Sequence, residues 1–122
     1  MISSIDHVVL TVSDIDASCK FYSRALLADV LVFGAGRKAI RFGDQKINLQ
    51  ILGQETRNNA AVGSGDLCLI SSWPMEKIIA HLSAEGIEIL EGPVQKSGAK
   101  GLINSVYFSD LDKNLIEISV YA

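Results

Sequence analysis

Four short segments of this chain, 5–12, 46–52, 66–70 and 115–121, alternate residue by residue between an aliphatic face and a polar one. Val8, Leu10 and Val12 point away from His7, Val9 and Thr11, and Ile47, Leu49 and Ile51 oppose Lys46, Asn48 and Gln50. Leu67 and Leu69 oppose Asp66 and Cys68, while Ile116, Ile118 and Val120 oppose Glu117, Ser119 and Tyr121. Successive side chains of a strand point to opposite faces of its sheet, so a strict period of two predicts strands with one face committed to a core. If the four polar faces meet, His7, Asp66 and Glu117 form a candidate metal site.

The 122 residues suffice for one ordinary domain, whose core would bury roughly 70% of the unfolded surface. A content of 48% hydrophobic and 20% charged residues with few prolines reads as globular and ordered. The net charge of -3 comes without a basic stripe, and phosphate-backbone binding needs concentrated positive charge, so nucleic acid is not an expected partner. No apolar run approaches the roughly 20 residues that span a bilayer, and residues 1–6 lack a basic, signal-type start. Cys19 and Cys68 are the only cysteines, too few and wrongly spaced for a disulfide framework or structural zinc. These features together predict a cytoplasmic protein without a membrane partner.

Two halves share one order of elements around a Gly-, Asn- and Ala-rich linker at 53–65. Module one (1–52) reads as strand 5–12, a helix from a Ser13 cap with Asp16 as its partner to about Leu27, strands near 29–33 and 38–42, and strand 46–52. Module two (66–122) reads as strand 66–70, a helix with Pro74 in its first turn and Gly86 past its end, strands near 88–94 and 103–109, and strand 115–121. Both are β-α-β-β-β, an α+β pattern. His7 and Asp66 then hold equivalent places, as do Asn48 and Glu117.

A sheet with one aliphatic face usually leaves the other wet, and His7, Asn48, Asp66 and Glu117 read most simply as solvent-facing. Two features argue otherwise. The polar faces keep Val9, Leu52, Cys68 and Tyr121, and their ionisable set is an imidazole with two carboxylates, the ligands of hard and borderline metals. Arg37 and Arg41 share a face that suits an anion or a solvated edge. Residues 96–101 (KSGAKG) read as a lid or a long hairpin loop. His81 falls off the apolar helical stripe and reads as exposed, Trp73 as a packing anchor, and Cys19 and Cys68 as inert filler. If Lys113 needs positive φ, it costs on the order of 1 kcal/mol relative to Gly.

The chain resembles the vicinal oxygen chelate superfamily, which includes glyoxalase I, extradiol dioxygenases, and fosfomycin and bleomycin resistance proteins. The resemblance lies in IDHVVLTV at 5–12, Phe21 and Tyr22, KINL at 46–49, GDLCL at 65–69, EGPV at 91–94, and VYFSD…NLIEI between 106 and 118. It is greatest to small dihydroxybiphenyl-dioxygenase-like glyoxalase-domain proteins. The resemblance implies two βαβββ modules forming an open curved barrel around a cavity, often completed by pairing of two chains into a homodimer.

It also implies metal ligands on the first and last strands of each module: His7, Asn48 (beside Gln50), Asp66 and Glu117. The family more often has His at 66, and glyoxalase I has Glu at 48, so this chain keeps a three-ligand set of His7, Asp66 and Glu117. Such a set suits Fe(II) or Mn(II), with Ni(II), Co(II) and Zn(II) as alternatives. Glu117 is also the expected catalytic base. Val9, Thr11, Asn48, Gln50, Cys68, Ser119 and Tyr121 are the expected cavity lining. The functional expectation is a glyoxalase- or dioxygenase-type enzyme on a small oxygen-bearing substrate. The alternative is a metal-free protein that sequesters a small molecule, as bleomycin-binding members do, and a dimeric ferredoxin-like barrel is a third architecture.

Overall fold

Each alternating segment becomes a strand, and the first and last strands of each half pair in parallel. The computed structural model describes residues 1–122. Its elements are β1 (His7–Thr11), α1 (Ile15–Leu26), β2 (Asp29–Phe33), β3 (Arg37–Phe42), β4 (Gln45–Gln50), β5 (Asp66–Ile70), α2 (Met75–Ala84), β6 (Glu91–Gly98), β7 (Gly101–Ser109) and β8 (Leu115–Tyr121). They fall into two compact units, Met1–Ser64 and Gly65–Ala122. The fold is α+β, with a four-stranded mixed sheet and one helix in each unit. Neither helix is long and apolar enough to cross a membrane.

In the first unit the sheet order is β1-β4-β3-β2, with β1 parallel to β4 and the other pairs antiparallel. The aliphatic face carries Leu10, Ile40, Ile47 and Leu49, all buried. Phe21, Tyr22 and Ala25 form the buried stripe of α1, which packs on β2 and β3. Phe21 and Tyr22 meet edge to face at 5.4 Å, the arrangement aromatic quadrupoles favour. Asp14, not Ser13, caps α1 by accepting from the Ala17 backbone N–H at 3.0 Å. Asp16 is instead drawn to Lys38 on β3 at 2.5 Å. That hydrogen bond holds the Asp16 carboxyl below its usual range and the Lys38 ammonium above its own. Leu27 ends the helix in the left-handed region at φ 54°.

The second unit repeats the topology as β5-β8-β7-β6, with β5 parallel to β8. Ile78 and Leu82 of α2 and Val106, Phe108, Ile116 and Ile118 of the sheet are buried. Pro74 sits at the N-cap of α2 rather than inside its first turn. His81 is half-buried and meets the Trp73 ring edge-on at 6.0 Å, with the Lys77 ammonium 3.9 Å from that ring. The exposed His81 expected from the helical stripe is therefore corrected: Trp73, just outside the helix, folds back against it.

The 96–101 segment is neither lid nor long loop. β6 runs through to Gly98, which pairs with Gly101 across a two-residue turn. β6 also starts at Glu91, later than expected, and the ladder bulges between Glu91 and Val94. At the bulge Gly92 has φ 105°, and a side chain there would collide with the Ser105 carbonyl.

The turn before β8 is tied together by buried groups. Asp110 accepts from the backbone of Asp112 and Asn114 and from the Asn114 side chain, at 2.8–2.9 Å. Asn114 in turn accepts from the Gly65 backbone at 2.7 Å, pinning the start of β5. Lys113 takes φ 65°, as its place in this turn requires. Lys113→Gly is expected to stabilise the fold by roughly 0.5 kcal/mol, relief of the left-handed strain outweighing glycine's unfolded-state entropy. Asn114→Ala, which strands the Gly65 N–H and part of Asp110, is expected to cost about 2–3 kcal/mol. Urea midpoints shifting in opposite directions at constant m check both; equal shifts would refute this reading of the turn.

Candidate functional site

On the first unit, parallel pairing sets Val9 beside Asn48 and Thr11 beside Gln50, with Ala39 of β3 on the other flank of Asn48. His7 opens this face and is exposed, its Nδ1 2.7 Å from Asp6 Oδ1. A carboxylate only accepts, so Nδ1 carries a proton, and in the neutral imidazole Nε2 then keeps its lone pair. A carboxylate behind the second ring nitrogen is the usual way an imidazole is oriented toward a metal.

Thr11, Asn48 and Gln50 are buried, and Gln50 Nε2 donates to Thr11 Oγ1 at 2.9 Å. Asn48 is only 3% exposed, and its Oδ1 has no hydrogen-bond partner. A buried unsatisfied acceptor costs about 1–3 kcal/mol, so this carbonyl marks either tolerated strain or a place for a donor. Arg37 and Arg41 share the face, as expected from alternation. Phe33 of β2 carries two cations on its ring, with Arg37 Cζ at 4.9 Å and Lys46 Nζ at 3.6 Å from the centroid.

On the second unit, Glu117 lies between Cys68 of β5 and Tyr107 of β7. Ser119 Oγ donates to Glu117 Oε2 at 3.1 Å. A hydroxyl has one proton, so the other two partners of Ser119 must donate to it. These are Ser105 Oγ at 2.7 Å and Cys68 Sγ at 3.3 Å. The chain Ser105→Ser119→Glu117 thus points every proton at the carboxylate, from two fully buried serines. Tyr107 is pushed up to about 12 by desolvation first, then by its hydrogen bond to Glu117 and that group's charge. Partial desolvation raises the thiol of Cys68 although the residue is exposed, so it remains a protonated donor, not a nucleophile. Asp66 is exposed at the start of β5, on the same face as Glu117. Tyr121, the last residue of that face, accepts from the Lys100 backbone at 3.1 Å.

The repeat makes the two faces comparable position by position. Asn48 and Glu117 occupy equivalent places, and β3 and β7 place Ala39 and Tyr107 opposite them. Tyr107 and Ser119 give Glu117 its partners. In the first unit Ala39 has no polar atom and Gln50 turns to Thr11, which leaves Asn48 Oδ1 alone.

The structure therefore places His7, Val9, Thr11, Asn48 and Gln50 on one face, and Asp66, Cys68, Glu117, Ser119 and Tyr121 on another. Val9, Cys68 and Asp66 are exposed, whereas Thr11, Asn48, Gln50 and Ser119 are buried. No three His, Cys, Asp or Glu side chains of the chain gather into a group that could hold a metal ion. The donors themselves suit a divalent cation: an oriented imidazole with a free nitrogen, and two carboxylates sharing a face. Asp6, Phe33, Ala39, Ser105 and Tyr107 were not visible as site residues in the sequence. Asp6 was adjacent to His7 and could have been found; the others need the strand register.

Residues 4–118 match the sequence model of the Glyoxalase/Bleomycin resistance protein/Dioxygenase superfamily. Virulence protein STM3117 of Salmonella typhimurium is 46% identical over 99% of this chain and 86% of its own length. The glyoxalase domain-containing protein RDO1 of Mycosarcoma maydis is 46% identical over 98% of this chain and 69% of its own. An integron cassette protein of Vibrio cholerae superposes with a TM-score of 0.95 at 47% identity, covering 100% of this chain and 98% of that one. Metalloenzymes occur among the relatives, including the metallothiol transferase FosB of Staphylococcus epidermidis, 28% identical over 96% of this chain and 81% of its own length.

The Tyr107 phenol is expected to titrate near 12, read as phenolate absorbance lost in Tyr107→Phe. Glu117→Gln removes the neighbouring charge and should lower that titration, while the larger desolvation share keeps it above an ordinary phenol. Because the folded state raises the value, the associated stability is full below about 10 and disappears as pH climbs to about 12. A Tyr107 titration indifferent to Glu117→Gln would refute the contact.

Proposed function

The chain belongs to the Glyoxalase/Bleomycin resistance protein/Dioxygenase superfamily, and from that premise we propose that it is a divalent-metal enzyme acting on a small oxygen-bearing substrate. The observation that carries this reading is the Asp6–His7 pair, which engages Nδ1 and leaves Nε2 as the ring nitrogen available to a metal. His7, Asp66 and Glu117 are the proposed ligands. Two of the proposed ligands lie on one unit and the third on the other. In this reading the protein is a homodimer. Its setting is the cytoplasm.

When bound, the metal would act as a Lewis acid toward adjacent substrate oxygens; Fe(II), Mn(II), Ni(II), Co(II) and Zn(II) all accept such ligands. The chain's own residues supply the rest. Ser119 and Tyr107 hold the Glu117 carboxylate in one orientation. So held, Glu117 is placed to take a proton from the carbon beside the substrate oxygens, as a base within hydrogen-bond reach does. Thr11 and Gln50 are locked to each other and shape the wall rather than react.

A second reading, metal-free sequestration of a small molecule, is favoured by Asn48, a neutral amide where glyoxalase I carries a carboxylate. Elemental analysis of protein purified without chelator separates the two. Wild type is expected to hold stoichiometric metal, His7→Ala/Glu117→Gln none, and Asp6→Ala to bind it about 10–100-fold more weakly. A wild type that stays empty after reconstitution with each of the five metals would sink the enzyme reading and leave sequestration.

A further inference from the structure

Register puts Phe33 and Lys46 at opposite corners of the patch formed by β2, β3 and β4. Phe33 pairs with Arg37, and Lys46 pairs with Arg41, which in turn pairs with Asp29. Ala39 lies between them on the diagonal, with Asn48 beside it on β4. In flat strands those corners are too far apart to touch, yet Lys46 Nζ stands 3.6 Å from the Phe33 ring centroid. Both side chains must therefore reach inward across the middle of the patch. That accounts for the burial of Ala39 and Asn48 on the polar side of a sheet.

The closed arrangement leaves two needs unmet. Asn48 Oδ1 is buried without a donor. Arg37 and Lys46 converge on one ring, and neither makes an ion pair with a carboxylate. Glu55 feels Arg37 only as its weakest influence and is itself engaged by Arg57, so the like charges held together on the ring still attract an anion. The small Ala39 side chain leaves room above the Asn48 amide once the ring moves.

We propose that Phe33 and Lys46 form a clasp over a subsite for a small oxyanion that carries its own hydrogen-bond donor. The ligand displaces Phe33 from Lys46, its negative oxygens pair with Lys46 and Arg37, and its O–H or N–H satisfies Asn48 Oδ1. Both partners are only half-buried, and a ring–ammonium contact short of full desolvation is worth about 1 kcal/mol, so a modest ligand can open it. The subsite lies on the first unit alone and does not depend on bound metal.

Inorganic phosphate and sulfate form the discriminating pair of probes. At mildly alkaline pH both are dianions, but only phosphate keeps an O–H. Calorimetric titration of the full chain, with chelator present and ionic strength fixed, is expected to show phosphate binding about five- to tenfold tighter than sulfate, the worth of one hydrogen bond. Phe33→Ala removes the closed state and should tighten both ions. Lys46→Ala should lose both. Asn48→Leu should erase the preference while sparing sulfate, and the wild-type comparison stands even if that variant does not fold. Equal binding of the two ions by wild type, phosphate binding untouched by Lys46→Ala, or no binding by either wild type or Phe33→Ala would each overturn the proposal.

Discussion

The parallel ladder between the first and last strand of each unit is the contact on which the rest of the structure depends. A parallel pair cannot be closed by a tight turn and needs a long crossover. Here a helix and a two-stranded excursion fill it, which makes each unit β-α-β-β-β. The ladder brings Val9 beside Asn48 and Cys68 beside Glu117, residues far apart in sequence. Without it the polar residues of the outer and central strands would belong to separate edges. With it they form one surface per unit, backed by a helix-covered core that gives that surface its rigidity.

Alternation made the four strands legible because a half-buried strand must alternate, and Leu10, Ile47, Leu49 and Ile116 went where the pattern sent them. Elsewhere the sequence carried competing signals. Ser13 and Asp14 are both good caps, and only the backbone geometry selects Asp14. The stretch from Gln95 to Lys100 has loop composition and no apolar face, yet β7 is long enough to pair with it through Gly98. Pairing to an existing strand outweighs local propensity. The position of His81 depended on Trp73, an aromatic just outside the helix that no helical stripe includes.

The candidate site was legible only as faces. A period of two states which residues share a side, but not which stand opposite one another. Tyr107 and Ala39 owe their importance to their neighbours across β8 and β4, so they were invisible until register was known. The Ser105–Ser119–Glu117 chain is similar: two serines on separate strands mean little alone, and a directed run of protons once paired.

Asn48 and Glu117 hold equivalent places in two units of one topology. The helix-side face of each unit must stay apolar and shape-matched, whereas nothing in the backbone ladders constrains which polar residue occupies the opposite face. Drift there leaves the ladders intact. Three differences, Glu117 for Asn48, Tyr107 for Ala39 and Ser119 for Gln50, separate a well-supported carboxylate from a lone amide at the same location. The two units thus share one topology while their polar faces carry different chemistry, a supported carboxylate on one and an unpartnered buried amide on the other.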